Sequence, residues 1–263
     1  MLQINKLCVQ AQSGKLLLDS INIKLNPGEV IGITGHSGSG KTTLVRSILG
    51  IFNEDLKISS GKILIDDIDL YKLTSRKRRK INGSLIGYIP QSPMTSFDSR
   101  IEIGKQMVEI FGIRLNKEKE EAEKLAKELL KKVNLKDVKR VMNSYPSQLS
   151  GGMLQRVVVA IIIGLKPKYV LADEPTSALD EENRKLLIDV MKKDMKEMGI
   201  LLISHDIPAL EELGSQLFIL SNGKIVDNGK IPMIFKESKQ FFEKKSADQS
   251  KKCSLGEWQW KDY

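Results

Sequence analysis

Apolar and polar positions along the chain follow two rhythms, and the switches between them outline the architecture. "LQINKLCV" and "INIKL" near the start are short β-rich segments, and "EVIGIT" (Glu29 to Thr34) is an apolar run that ends in glycines, as a buried strand does. "TTLVRSILG" then predicts a helix closed by Gly50. "GKILIDD" and "SLIGYIPQ" predict two more strands. From about residue 92 to residue 145 the period turns helical, most clearly in "NKEKEEAEKLAKELLKKVNL". A Val/Ile-rich helix follows "LSGG", then the strand "KYVLADEP", and then a long helix over "EENRKLLIDVMKKDMKEMG" that is predicted to end at Gly199. "ILLISHD" reads as a strand and "IPALEELG" as a helix. "QLFILSNGKIVDNG" reads as a hairpin turning on Asn-Gly. No internal repeat is visible. The expectation is one α/β domain over residues 1–245, with a helical subdomain at about 92–150 and a weakly ordered tail over 246–263.

Composition narrows the class. At 41% hydrophobic and 29% charged residues the chain suits a globular protein, and with only 5% aromatics its core must be aliphatic. The longest apolar run, "VVVAIIIGL", is well short of the roughly 20 residues of a membrane span and reads as a buried helix. The first residues lack the basic and apolar regions of a signal peptide. Cys8 and Cys253 lie at opposite ends, which fits a reducing compartment better than a disulfide framework. The formal charge of +9 invites an anionic partner, and much of it sits in "SRKRRK", "EKLAKELLKK" and the tail. The second cluster alternates sign at helical spacing, so the basic clusters are read mainly as solvated surface. No aromatic stacking platform accompanies them, and nucleic acid is not expected as a partner.

The strongest chemical signal is "GHSGSGKT": Gly35, His36, Ser37, Gly38, Ser39, Gly40, Lys41 and Thr42. It matches G-x-x-x-x-G-K-[ST] with a strand before it and a helix after it. Small residues let backbone N–H groups and the helix start wrap phosphate oxygens. Lys41 is placed to reach the β- and γ-phosphates of ATP, Thr42 to ligate Mg²⁺, and Thr43 to add a phosphate hydrogen bond. "YVLADEP" supplies two carboxylates at a strand end. Asp173 suits the metal side, and Glu174 suits general-base work on an attacking water.

With these two motifs, "LSGGM" (Leu149 to Met153) makes the chain resemble the ATP-binding cassette (ABC) family over roughly residues 2–229. The resemblance implies a P-loop NTPase fold of the ABC ATPase type, with a mixed sheet core, an N-terminal antiparallel β subdomain and a helical insert. It also implies that Gln91 senses Mg²⁺ and the attacking water, that Ser177 to Asp180 form the D-loop, and that His205 contacts the γ-phosphate. Ser150, Gly151 and Gly152 would cover a nucleotide held by a second ATPase subunit, in a homodimer or a heterodimer. Ser150 is also an excellent plain helix N-cap, and the two roles are compatible.

A single cassette without membrane spans resembles the ATPase subunit of a multi-chain importer. "IPQSPMTSFDSRIEIGKQMVE" and "YPSQLSGGMLQRVVVAI" resemble the peptide/nickel importer group, nearest its nickel or metallophore type. Implied partners are transmembrane permease subunits, docked through the helical insert, and indirectly an extracytoplasmic solute-binding protein. The implied place is the cytoplasmic face of the cell membrane. Two other readings compete: a soluble cassette ATPase working on nucleic acid or ribosomes, and a non-catalytic regulatory cassette. The first lacks a second cassette or long coiled-coil insertions to support it. The second is disfavoured by Lys41, Asp173, Glu174 and His205 all being present.

In one respect the chain departs from the family: "LCVQAQSGKLLLD" offers no aromatic residue to stack on adenine. Adenine would rest on aliphatic groups. ATP and GTP affinities are therefore expected to lie within roughly tenfold, a gap of about 1.4 kcal/mol. Titration of both nucleotides checks this, and a much larger preference for ATP contradicts it.

Overall fold

The computed structural model describes residues 1–51, 56–177 and 179–231. The predicted limit of the domain at residue 245 and the tail beyond it lie outside these residues. Two sheets organise the chain. The first is antiparallel, in the order β2-β1-β4-β5: β1 is Leu2–Ala11, β2 Leu16–Leu25, β4 Leu56–Ile65 and β5 Ile68–Asp69. The second has six strands in the order β10-β9-β3-β8-β7-β6. Here β3 is Val30–Thr34, β6 Ile86–Ile89, β7 Tyr169–Asp173, β8 Gly199–Ile203, β9 Gln216–Ser221 and β10 Lys224–Lys230. Its pairings are parallel from β9 through β6, and only the β9–β10 edge is antiparallel. This is the expected mixed sheet with an antiparallel β subdomain.

The central strands β7 and β8 are buried at every position, which explains their unbroken apolar runs. Their alternating side chains serve two cores. Leu171, Leu201 and Ile203 join β1, β2 and β4 around the helix α1 (Lys41–Leu49), which contributes Leu44, Val45, Ile48 and Leu49. Val170, Ala172, Ile200 and Leu202 face the opposite side, where α6 (Gly151–Leu165) lies. None of the helices among the described residues is long and apolar enough to cross a membrane, and "VVVAIIIGL" is the mostly buried carboxyl-terminal part of α6.

The region between β6 and α6 carries α3 (Ile103–Leu115), α4 (Lys119–Lys132) and α5 (Val138–Met142). The amphipathic repeat behaves as its spacing predicts. Ala122, Ala126, Leu129 and Leu130 turn inward with Met107 and Phe111, while Lys127 bonds Glu123 on the outside at 2.6 Å. Gly164 of α6 permits this packing, since a Cβ there would stand 2.6 Å from Leu129 and 2.8 Å from the Phe111 ring. Asn222 (φ 47°) and Gly223 (φ 77°) form the expected turn between β9 and β10.

Two expectations need correction. The helix predicted to reach Gly199 is α7 (Glu181–Asp194), and it stops five residues earlier. Met195 and Met198 are buried and pull the chain inward through a turn closed by Met198 N–H to Met195 O at 2.9 Å. Gly199 is the first residue of β8 and not a helix cap, because a Cβ there would lie 2.6 Å from the Asn26 carbonyl and 2.8 Å from the Tyr169 ring. Moreover, "SRKRRK" is not wholly solvated surface. It forms α2 (Ser75–Ile81), and its Arg78 is only 8% exposed.

Gly199→Ala is expected to destabilise the fold by about 1–3 kcal/mol through overpacking against backbone. A lowered urea midpoint with an unchanged slope is the result that checks it.

Candidate functional site

β3, β8, β7 and β6 lie side by side and run parallel, so their carboxyl ends open at one edge of the sheet. Ligands of open α/β sheets bind at such an edge. In sheet order these ends deliver Gly35–Thr42, then His205, then Asp173 and Glu174, then Gln91. Four motifs scattered over 170 residues of sequence thus become neighbours.

The loop after β3 is forced into shape by close backbone approach. At Gly35 (φ 153°) a Cβ would fall 2.0 Å from the Leu220 carbonyl, and at Gly40 (φ 112°) it would meet Leu18 at 2.8 Å. Gly223 N–H donates to Ser39 O at 2.9 Å and holds the loop from the β9–β10 turn. Gly40 caps α1 without any side-chain acceptor, so the first-turn amides stay free for an anion. Ser39 Oγ is buried and has no hydrogen-bond partner among the described residues, and Thr42 is exposed. Lys41 folds back over the loop and donates to the carbonyls of Gly35 and of His36 (3.0 Å). Burial pushes its ammonium below the usual lysine range, and Glu174 and Asp173 pull it part of the way back.

Asp173 is 6% exposed, and burial raises its carboxyl, opposed by Lys41 and by a hydrogen bond from Tyr88. Tyr88 itself is pushed up to about 12, by burial first and then by Asp173. Glu174 adopts φ 49° and donates its N–H to Ile203 O at 2.9 Å. That kink turns its side chain toward β8, where Oε1 lies 3.4 Å from His205 Nε2. Burial raises Glu174, while burial and Lys41 lower His205, so both groups drift toward neutrality. His205 Nδ1 is buried with no hydrogen-bond partner among the described residues.

Behind His205 stands a group that the sequence reading missed. Asp206 caps α8 (Ile207–Leu213), accepts from Thr176 Oγ1 at 3.1 Å and pairs with Arg184 at 3.2 Å. It ties the segment after Glu174 to the segment holding His205. An Asp before Ile-Pro is a legible helix start and could have exposed the cap. Nothing in the sequence announces Tyr88, because its meeting with Asp173 depends on β6 pairing with β7.

Gln91 is exposed just past Pro90, whose carbonyl accepts a hydrogen bond from buried Gln155 Nε2 at 3.4 Å. Ser150 caps α6, its Oγ accepting from Met153 N–H at 3.2 Å, and a Cβ on Gly151 would meet nothing within 4 Å. No hydrogen bond or ion pair among the described residues connects Ser150–Gly152 with the loop at Gly35–Thr42. Lys41, Asp173, Glu174 and His205 come together in one chain. The described residues contain no group of three or more His, Cys, Asp or Glu able to cage a metal. One buried carboxylate plus a hydroxyl suits Mg²⁺, which usually takes its remaining ligands from phosphate oxygens and water.

The family description "ABC transporter" matches residues 18–177. The "Metal-staphylopine import system ATP-binding protein CntD" of Staphylococcus aureus (strain Mu50 / ATCC 700699) is 33% identical over 242 residues, covering 90% of this chain and 88% of that protein. The "Oligopeptide transport ATP-binding protein AppD" of Bacillus subtilis (strain 168) is 35% identical, over 84% of this chain and 68% of that one. Among solved structures, the dimeric ATP-binding cassette MJ0796 in a post-hydrolysis state with ADP and Pi superposes with a TM-score of 0.78. It is 26% identical and covers 88% of this chain and 99% of that one. The match of motif order, sheet topology and relatives has one meaning: the chain belongs to the ABC transporter family.

Proposed function

We propose that the chain is the ATP-hydrolysing subunit of a multi-subunit importer for a metal chelate or an oligopeptide. One observation carries the reading: Lys41, Asp173, Glu174 and His205 converge at adjoining strand ends, while among the described residues no hydrogen bond or ion pair joins Ser150–Gly152 to them. The import systems that the two relatives above are named for support the cargo class. A dimeric cassette of the same fold supports a two-chain working unit.

In this reading Gly35 to Thr43 hold the phosphates of ATP, and Thr42, Asp173 and Gln91 face Mg²⁺. When bound, the ion would supply positive charge against the phosphates. Glu174 takes a proton from the attacking water as the water oxygen bonds to the γ-phosphorus and the bond to the bridging oxygen breaks, giving ADP and phosphate. Burial keeps Glu174 more basic than an ordinary glutamate, which suits that task. His205 holds the γ-phosphate side and orients Glu174. Ser150, Gly151 and Gly152 of a second copy or of a different ATPase subunit present a capped helix start to the same phosphate. The helical region at about 92–150, within a nucleotide-binding domain over 1–245, docks on permease subunits at the cytoplasmic face of the membrane. A solute-binding protein on the far side delivers cargo. Closing and opening of the nucleotide-bound pair biases the permease between two states.

Glu174→Gln is expected to retain ATP binding, favour a stable dimer and lose at least about a hundredfold in steady-state turnover. Near-normal turnover would remove Glu174 from the chemistry. Ser150→Arg is expected to leave nucleotide binding by the isolated monomer intact and to abolish turnover. Loss of monomer binding instead would overturn the shared site. Co-purification with membrane permease subunits, against nucleic-acid binding at physiological salt, separates the importer from the soluble alternative.

A further inference from the structure

The basic run "SRKRRK" contains a buried cation with no part in the chemistry above. Arg78 lies on the inward face of α2, while Arg76, Lys77, Arg79 and Lys80 are exposed. Its guanidinium makes no hydrogen bond to a carboxylate among the described residues. It donates instead to four carbonyls: Leu70 O at 2.6 Å, Ser47 O at 3.3 Å, Leu49 O at 3.4 Å, and Ile48 O. Three of those four end α1, the helix that begins with Lys41 and Thr42. Asn82 Nδ2 adds a donor to Leu49 O at 2.8 Å, and Tyr71 Oη donates to Ser47 O at 2.5 Å with its ring 5.4 Å from the guanidinium carbon.

Gly50 makes room for this arrangement. A Cβ there would stand 2.8 Å from the guanidinium, and the residue's φ of 68° turns the chain out of α1. The last carbonyls of a helix are normally left to water or to a simple cap. Here a five-donor fork is buried to hold them, at the cost of desolvating a charge. A cation at this end also offsets the negative pole of the helix, whose opposite pole faces the proposed phosphates about 13 Å away along nine residues.

We infer that Arg78 is a positioning residue for nucleotide binding, holding the carboxyl end of α1 so that Lys41 and Thr42 at its amino end stay set for the phosphates. The inference rests on the phosphate-binding role proposed for Gly35–Thr42. If the wild-type chain fails to bind ATP, that reading falls, whereas wild-type binding with indifferent Arg78 variants sinks this one alone.

The test uses the full chain with Arg78→Lys and Arg78→Gln, and with Gly199→Ala as a destabilised control whose added Cβ meets Asn26 and Tyr169 first. ATP affinity is measured by titration, stability by thermal melting, and protection of the α1 amides by hydrogen exchange. Arg78→Gln is expected to weaken ATP binding about tenfold, and Arg78→Lys, which keeps the charge but not the fork, about threefold. Gly199→Ala is expected to keep wild-type affinity despite its lower melting temperature. Exchange in both Arg78 variants should quicken along α1 as far as residues 43–45. Wild-type affinity in Arg78→Lys with exchange altered only at residues 47–51 would overturn the inference, even if Arg78→Gln does not fold. An affinity loss in Gly199→Ala matching its loss of stability would overturn it as well.

Discussion

Everything at the proposed nucleotide edge depends on how tightly the backbone is packed where β3 ends. The carbonyl of Leu220 lies where a side chain at residue 35 would have to be, so the turn accepts glycine and little else. Because β9 is fixed beside β3 by parallel pairing, the turn has one available course, and it delivers Gly40 and the start of α1 to the same place. The half-buried lysine, the histidine one strand away and the carboxylates two strands away acquire their meaning from that course. Loosening it would leave each group present and none of them in register.

The second organising effect is electrostatic. Asp173, Glu174 and His205, at and just past the ends of β7 and its neighbour β8, sit with Lys41 in a partly buried cluster where burial acts against every charge. Lys41 partly offsets Asp173 and Glu174, and it discourages protonation of His205. Such mutual dependence is characteristic of groups tuned for proton transfer. Asp206 and Tyr88 stand behind the pair from two sides, one anchoring the His205 segment and the other bonding Asp173.

Much of this was readable before any coordinates. Gly35 to Thr42, Asp173, Glu174 and His205 each lie at the end of an apolar run, and a run ending in chemistry is what parallel strands look like in sequence. The hairpin at Asn222-Gly223 and the inward repeat of α4 were equally plain. What escaped were facts that depend on pairing between distant segments. Arg78 is indistinguishable from its four basic neighbours until α2 is laid against the end of α1. The stop of α7 at Asp194 is set by burial of Met195 and Met198, while the helical pattern continues past it. Tyr88 became visible only once β6 was known to border β7.

The turn at Gly223 bears on how the molecule is made. Its N–H secures Ser39, and its carbonyl accepts from Asp19 at 2.8 Å, so one residue late in the chain stitches the glycine-rich loop to the amino-terminal sheet. β3 itself gains a neighbour only when β8 and β9 have been synthesised. During translation the glycine-rich loop therefore leaves the ribosome early and waits, unframed, for some 180 further residues. A cell translating this chain holds no working fraction of the site until nearly all of the described fold has emerged, which sets nucleotide capture as a late event in its biogenesis.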